Sequence, residues 1–300
     1  MTWRETWRET WREIKGAYGR RRRALRRAVL EPLLVGRPVL RDTVMQALAA
    51  RGQLVFCELG DVRFFVDPSD RVVGAWLMWH GEWQRREIDA AVEVLAAAGR
   101  LPAEAVLVDV GAHIGTHTIY ALRTKRFARA VAFEPAPRNA RLLAMNLEAN
   151  GLSQAAVIVP KAAGDRAGTA VLHLHPRNTG AHSVNAPPSD DGQVSLEVPI
   201  VRVEDELAAL GVAPDKIGLI WIDVEGYEPQ ALDGLTALVA RSIPIAFEFT
   251  PSRYTAETRQ RLVELLMRHY KTVHSLGRGG PAAPIAALAT LAHTDDVLVH

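Results

Sequence analysis

The spacing of apolar positions changes along the chain, and each change predicts a different element. Residues 54–66 form two short alternating apolar runs around Gly60 and Asp61, which predicts a β-hairpin with a tight turn. Between residues 83 and 98 the apolar spacing becomes helical, and Gly99 follows as a C-cap. The chain therefore begins its predicted folded part with a hairpin and then a helix.

Beyond residue 100, predicted strands and helices alternate. Apolar runs predict core strands at 106–110, 130–134, 157–160, 219–223 and 243–249, and helices from 116, over 135–151, 226–240 and 256–269. Two added strands, 169–175 and 194–203, flank a polar stretch that we expect to be flexible, 177–193. Val273 and residues 297–299 supply a closing antiparallel hairpin. The pattern predicts an α/β fold: a Rossmann-like, doubly wound and mostly parallel sheet, with a small N-terminal hairpin.

Charge is distributed unevenly along the 300 residues. Residues 1–41 contain twelve Lys or Arg and four Glu, whereas the remainder contains 24 basic and 30 acidic residues. Three copies of Thr-Trp-Arg-Glu within residues 2–13 predict a helical arm with one Trp-bearing face. Two interpretations stay open: a solvated arm, or contact of residues 1–30 with an anionic membrane surface or a partner. Because the remainder of the chain, beyond residue 41, is not basic, we do not expect it to bind nucleic acid.

Composition excludes several other classes of protein. No apolar run reaches the roughly 18 residues that a membrane span requires, and the charged N-terminus does not resemble a secretory signal. The single cysteine, Cys57, excludes an intrachain disulfide and a multi-cysteine zinc site. We therefore expect a cytoplasmic protein, either free or peripheral to the inner face of the membrane.

The strongest chemical signal is the loop after the first core strand, Asp109-Val110-Gly111-Ala112-His113-Ile114-Gly115. A glycine after a buried strand permits a sharp turn and close approach to a ligand, and the following helix presents free amides there. The spacing lacks the G-x-G-x-x-G of dinucleotide sites. Asp109 would repel a pyrophosphate but suits an ammonium group. These properties favour S-adenosylmethionine as the ligand.

Further carboxylates stand at the ends of later strands. Glu134 ends the second strand 23 positions after Gly111, where a carboxylate is placed to bind a ribose diol. Asp223 ends the fourth strand, and Glu225 follows it; Glu248 is a charge within the otherwise apolar fifth strand. Such a charge needs a partner or a function.

Four sequence blocks together carry a resemblance: Asp109–Gly115, Phe133-Glu134-Pro135, Asn146–Asn150 and Ile222–Glu228. They resemble the FkbM family of S-adenosylmethionine-dependent methyltransferases over residues 80–250. The resemblance implies a Rossmann-like methyltransferase fold and methylation of a hydroxyl on a sugar, glycolipid or secondary metabolite. Two departures are Trp221, where the family commonly has lysine, and His113, where it commonly has asparagine.

Site roles follow from the resemblance and from position. Asp109, Gly111, His113 and Gly115 would contact the methionine end of the cofactor, and Glu134 the ribose. Residues 161–165, with Ala163 and Asp165, would border the adenine.

Asp223 is the first candidate for the general base, followed by Glu225 and Glu248; His113 and His117 are further candidates because of their near-neutral pKa. No close-spaced cluster of ligands demands a metal, so none is predicted.

The sequence predicts three parts: the arm 1–41, a hairpin and helix 42–100 packed on the core, and the methyltransferase domain 101–300. The expected partner is a small-molecule or glycan acceptor with a hydroxyl, and the sequence says nothing about oligomeric state. Two alternatives stay open. One is a nucleic-acid or protein methyltransferase tethered by the basic arm; the other is a non-catalytic, cofactor-binding assembly protein.

Overall fold

The computed structural model describes residues 38–185 and 194–300. The chain divides into two compact units, residues 1–53 and 54–300. In the first unit the structure describes α1 (Pro38–Ala49), whose first residue suits proline because that position needs no amide donor. The Thr-Trp-Arg-Glu repeat lies outside the described residues. The predicted three-part division stays a prediction.

The second unit opens with the predicted hairpin. Strands β1 (Val55–Leu59) and β2 (Val62–Val66) pair antiparallel around the Gly60-Asp61 turn, which confirms the alternation argument. Two helices follow, α2 (Val73–His80) and α3 (Arg85–Ala97). Helix α3 was predicted. Helix α2 was not, because its sequence is apolar almost all round and offers no helical contrast.

An eight-stranded sheet forms the centre of the second unit, in the order β12-β11-β13-β10-β9-β3-β4-β5. Its five parallel strands are β3 (Ala105–Val110), β4 (Phe127–Phe133), β5 (Ala156–Val159), β9 (Ile217–Ile222) and β10 (Ile245–Phe249). The antiparallel end consists of β11 (Thr272–Ser275), β12 (Ala283–Pro284) and β13 (Asp295–Val299). The prediction of an α/β, doubly wound and mostly parallel sheet is confirmed.

Strands β3 and β9 are neighbours although more than 100 residues separate them. From β3 the chain builds outward through α4 (Thr116–Arg123), β4, α5 (Pro137–Ala149) and β5, and then returns to the other side of β3. The strand order therefore reverses between β3 and β9. In sheets of this kind the crevice beyond such a switch point is where ligands bind.

Alternate residues of the central strands enter apolar clusters on opposite faces of the sheet. Val108 and Ile220 belong to one cluster, and Leu107 and Trp221 to the other. Because the central strands are buried on both faces, they appear in the sequence as continuous apolar runs.

The added strands form a separate three-stranded sheet. It contains β6 (Ala162–Ala163), β7 (Gly168–His173) and β8 (Ser195–Val201), with β8 in the middle, and leads into α6 (Val203–Ala209). The segment 226–240, predicted as one helix, is two: α7 (Glu228–Asp233) and α8 (Thr236–Ala240). They are interrupted at Gly234, where a side chain would overlap the carbonyl of Gly164.

The long helix α9 (Ala256–His269) begins at Thr255, whose hydroxyl accepts from the amide of Thr258 at 3.1 Å. None of the helices in the described ranges combines the length and the apolar character that crossing a bilayer requires.

Candidate active site

The site begins where β3 and β9 end side by side. The Asp223 amide donates to the carbonyl of Val110 at 2.9 Å, and the Gly111 amide donates to the carbonyl of Phe133 at 3.0 Å. Gly111 has φ +90°, and a side chain there would overlap the carbonyl oxygen of Asp223. Glycine is therefore required for close backbone approach as well as for its conformation. The contact fixes Asp223 beside the glycine loop.

Glu134 follows β4 and holds the same loop. Its carboxylate accepts from the backbone amides of His113 and Ala136, each at 2.8 Å. The Asn139 amide lies 3.5 Å from it. Burial raises the pKa of Glu134 to about 8, against these hydrogen bonds, which lower it. A carboxylate has about four acceptor sites, so it still has capacity for a ligand hydroxyl.

A cavity opens over these strand ends; we call it the first cavity. Its walls include Gly111, His113, Glu134, Ala163 and Asp223. Four of the predicted cofactor residues are thus brought together with the predicted base. The remaining wall comes from neighbours of these residues along the chain, from β7 and from residues 179–184: Phe133, Pro135, Asn139, Lys161, Ala162, Leu172, Thr179, Gly180, His182, Val184, Val224 and Tyr227.

Three predicted cofactor residues lie outside the cavity wall. Asp109 is fully buried beneath the loop, where it accepts from the Thr118 hydroxyl, and burial raises its pKa to about 6. Gly115 has φ +92°, and a side chain there would overlap Leu143. Asp165 is exposed beside Arg166. Direct contact of these three residues with the cofactor is therefore not supported: Asp109 and Gly115 shape the loop, and Asp165 faces solvent.

Asp223 lies in a strongly acidic environment. Burial raises the pKa of its carboxyl well above the usual value, and the neighbouring Glu248, Glu225, Asp296 and Glu228 raise it further. Among the described residues, none donates a hydrogen bond to this carboxylate. A carboxylate that is open to a cavity and has a raised pKa is a stronger base than an ordinary carboxylate.

Glu225 and Glu248 share one cation. The Arg253 guanidinium contacts a carboxylate oxygen of Glu225 at 2.5 Å and one of Glu248 at 3.0 Å through the same nitrogen. Burial raises the pKa of Glu225 to about 7, while Arg253 opposes that rise. The predicted need of Glu248 for a partner is met by Arg253. Glu248 does not line the first cavity, nor does it line the cavity that adjoins it, described below as the second cavity. Both acids are therefore better placed to hold charge around Asp223 than to act as the base.

Glu228 holds the turn that follows Asp223. One oxygen accepts from the amides of Val224 at 3.2 Å and Gly226 at 3.1 Å; the other accepts from the Tyr254 hydroxyl at 2.8 Å. Carboxylate oxygens of Asp223, Glu228 and Glu248 come within 4.8 Å of one another. Because Glu228 and Glu248 already have these partners, the group does not provide free ligands for a metal ion, and no step through a metal is derived.

Comparison with known proteins identifies the family. The family described as methyltransferase FkbM domain matches residues 109–272, more than half of the chain. The chain belongs to the FkbM methyltransferase family. Membership confirms the predicted family and, with it, S-adenosylmethionine as the cofactor.

The individual proteins that this chain resembles are distant relatives. The chain is 29% identical over 161 residues to methyltransferase sdnD of Sordaria araneosa, which covers 45% of this chain and 62% of that protein. It is also similar to the crystal structure of methyltransferase FkbM from Methylobacillus flagellatus KT, with a TM-score of 0.42 and 14% identity over 66% of this chain and 44% of that one. A tRNA (uracil-54, C5)-methyltransferase from Pyrococcus abyssi gives a TM-score of 0.39 at 14% identity, over 82% of this chain and 43% of that one.

The first cavity fits the cofactor of the FkbM family. Glu134 offers acceptor capacity for the ribose diol, and Gly111 and His113 form the wall beside it. Tyr227 and Ala163 add less polar surface on the side where adenine is predicted. The segment 174–185, which we call the strap, covers this wall: Asn139 donates to the carbonyl of Thr179 at 2.9 Å, and the Ser183 hydroxyl to that of Glu225 at 2.9 Å.

The strap overlaps the stretch 177–193 that the sequence predicts to be flexible, and its described residues make these hydrogen bonds to the site. Three further residues near the site were not predicted from the sequence: Gln84, Asp296 and Arg253. None of the three belongs to a motif, and each reaches the site only through the arrangement of the sheet. The one available signal was the isolated charge of Glu248, which required a cation such as Arg253.

Proposed function

We propose that this FkbM-family protein is an O-methyltransferase that methylates a hydroxyl group of a sugar, glycolipid or secondary metabolite. The observation that carries the proposal is the position of Asp223. Its carboxylate lines the first cavity and also a second cavity, which Gly111 lines as well. A hydroxyl bound in the second cavity would therefore lie next to the acid that faces the cofactor.

Asp223 acts as the general base in this proposal. When bound, S-adenosylmethionine supplies a methyl group on a positively charged sulfur, which keeps the bonding electron pair as the acceptor oxygen takes the methyl. The hydroxyl proton passes to the carboxylate of Asp223, whose raised pKa makes it a stronger base than an ordinary carboxylate. The walls around Gly111 and His113 position the two reactants, which supplies much of the rate through orientation.

Two other candidate bases fit less well. Burial lowers the pKa of His117 to about 3 and also lowers that of His113, so both imidazoles are neutral but weakly basic. Glu225 lines the second cavity but is paired with Arg253. Asp223 is the remaining acid that borders both cavities.

The test is mass spectrometry of a small-molecule extract incubated with the protein and isotope-labelled S-adenosylmethionine. We expect a product that carries one labelled methyl group on oxygen. Labelled nucleic acid or protein would instead support the tethered alternative, and cofactor binding without any labelled product would support a non-catalytic role.

A further inference from the structure

The second cavity adjoins the first one. The two share Gly111, His113, Gly180 and Asp223, so only these residues separate a ligand in one from a ligand in the other. An acceptor seated in the second cavity would meet the methyl group at Asp223. The chemistry of this wall should therefore match the chemistry of the acceptor. This inference rests on the function proposed above.

His117 contributes a hydrogen-bond acceptor to this wall. Gln84 donates through Nε2 to a carboxylate oxygen of Asp296 at 2.9 Å, so its Oε1 faces Nε2 of His117 at 3.0 Å. An amide oxygen can only accept, and the His117 Nε2 must therefore carry the proton. The other nitrogen, Nδ1, is left with a lone pair.

The free nitrogen of His117 has no internal partner in the described ranges. The residue is 4% exposed and lines the second cavity. Nδ1 can accept a hydrogen bond from a ligand in this cavity, and such a bond would contribute to the ligand's binding. Because burial lowers the pKa of His117 to about 3, the ring stays neutral and cannot supply that hydrogen itself.

The acidic side chains that line the cavity are Asp223 and Glu225, both with raised pKa values, and no Lys or Arg is among its described lining residues. A cationic ligand would favour the ionised form of both acids. Behind them, Glu248 and Asp296 add further negative charge near Asp223. Arg253 is engaged by two of these acids. An anionic acceptor would therefore enter a pocket with repulsive charge and no cation to pair with.

We propose that the second cavity binds an acceptor that carries an ammonium group beside the hydroxyl to be methylated, that is, an amino alcohol such as an amino sugar. An ammonium group has three donors and no acceptor, which matches carboxylates and an imidazole lone pair. Trp83 lines the same cavity and offers an aromatic face, a surface that attracts organic cations. The hydroxyl supplies a further donor, to Asp223.

The test uses the labelled small-molecule product described above and asks for its charge. We expect the product to bind a cation exchanger at pH 5 and to lose that retention after acetylation of its amine. A neutral or anionic product, or a product whose formation stops on adding EDTA, would overturn the ammonium assignment while leaving methyl transfer intact. Absence of any labelled product, with cofactor binding retained, would overturn the proposed function itself.

A second measurement locates the ammonium group. Glu225→Gln should raise KM for the purified acceptor about tenfold or more, because a charge-assisted hydrogen bond is lost, with little change in cofactor affinity. Glu197→Gln changes an exposed glutamate on β8 that lines neither cavity and serves as the matched control. Equal KM values for the two variants would place the ammonium group elsewhere and overturn the inference.

Discussion

A side chain on Gly111 would occupy the position of the backbone carbonyl oxygen of Asp223. The loop that faces the cofactor and the acid that faces the acceptor are therefore in direct backbone contact. Since β3 and β9 lie at the switch point of the sheet, this contact occurs where the crevice between the two halves opens. A side chain at Gly111 would therefore disturb both the proposed cofactor loop and the proposed base.

Gly111→Ala should destabilise the protein more than its conformation alone explains. The control, Gly99→Ala, also has positive φ, at +64°, but a side chain there meets nothing within 4 Å. We expect the control to lose about 1–2 kcal/mol of unfolding free energy from the left-handed conformation. Gly111→Ala should lose a further 1–3 kcal/mol or so from overpacking. Denaturant unfolding measures both; equal losses would mean that the approach of Asp223 is not tight.

Glu134→Gln should weaken cofactor binding. The amide replaces one acceptor oxygen by a donor, although the backbone amides of His113 and Ala136 both need an acceptor. Leaving a buried donor without its acceptor costs about 1–3 kcal/mol, which corresponds to about 5–150-fold in affinity. Calorimetric titration with S-adenosylmethionine measures the cofactor affinity, and Glu93→Gln, a change at an exposed glutamate, is the control. Unchanged affinity would contradict the ribose role.

Asp223→Asn should bind the cofactor and lose turnover. Removing a general base lowers the rate by about 10²–10⁴. Asp215→Asn is the matched control, because Asp215 lies exposed in the 3₁₀ turn that precedes the other end of β9. Steady-state turnover of the labelled reaction separates the two variants. Full activity in Asp223→Asn would remove Asp223 as the base.

The free energy of unfolding should fall as pH rises from about 7 to about 8. In the folded protein the pKa values of Glu225 and Asp296 are raised to about 7 and that of Glu134 to about 8, so these groups still bind protons that the unfolded chain has released. Stability falls with pH wherever the folded state binds more protons.

The buried histidines have lowered pKa values and give the opposite slope, but only below about pH 6.5. Chemical denaturation at several pH values measures the decline. It should be shallower in Glu134→Gln, which lacks the group with the highest of these pKa values. A wild-type slope of zero between pH 7 and 8 would contradict the raised pKa values.

Much of the fold could be predicted because its strands are locally recognisable. Strands β3 and β9 are continuous apolar runs, and the glycine loop and Glu134 follow strand ends directly in the sequence. Helix α2 was not predicted because it lacks a polar face. The predicted 226–240 helix is divided in two by the close approach of Gly234 to Gly164. The local pattern of apolar residues indicates which positions are buried, but it does not indicate which backbone segment packs against them.

By itself, the sequence determined the alternation of strands and helices, the glycine turn and the acids at the strand ends. These features depend on the spacing of apolar residues and on turn-forming residues, which are properties of neighbouring positions in the chain. Only the tertiary structure decided which of those acids faces a cavity. It buried Asp109 under the loop, joined Glu225 and Glu248 through Arg253, and connected Gln84 to Asp296 across 212 positions. Those contacts depend on strand order, and strand order arises from packing the whole sheet.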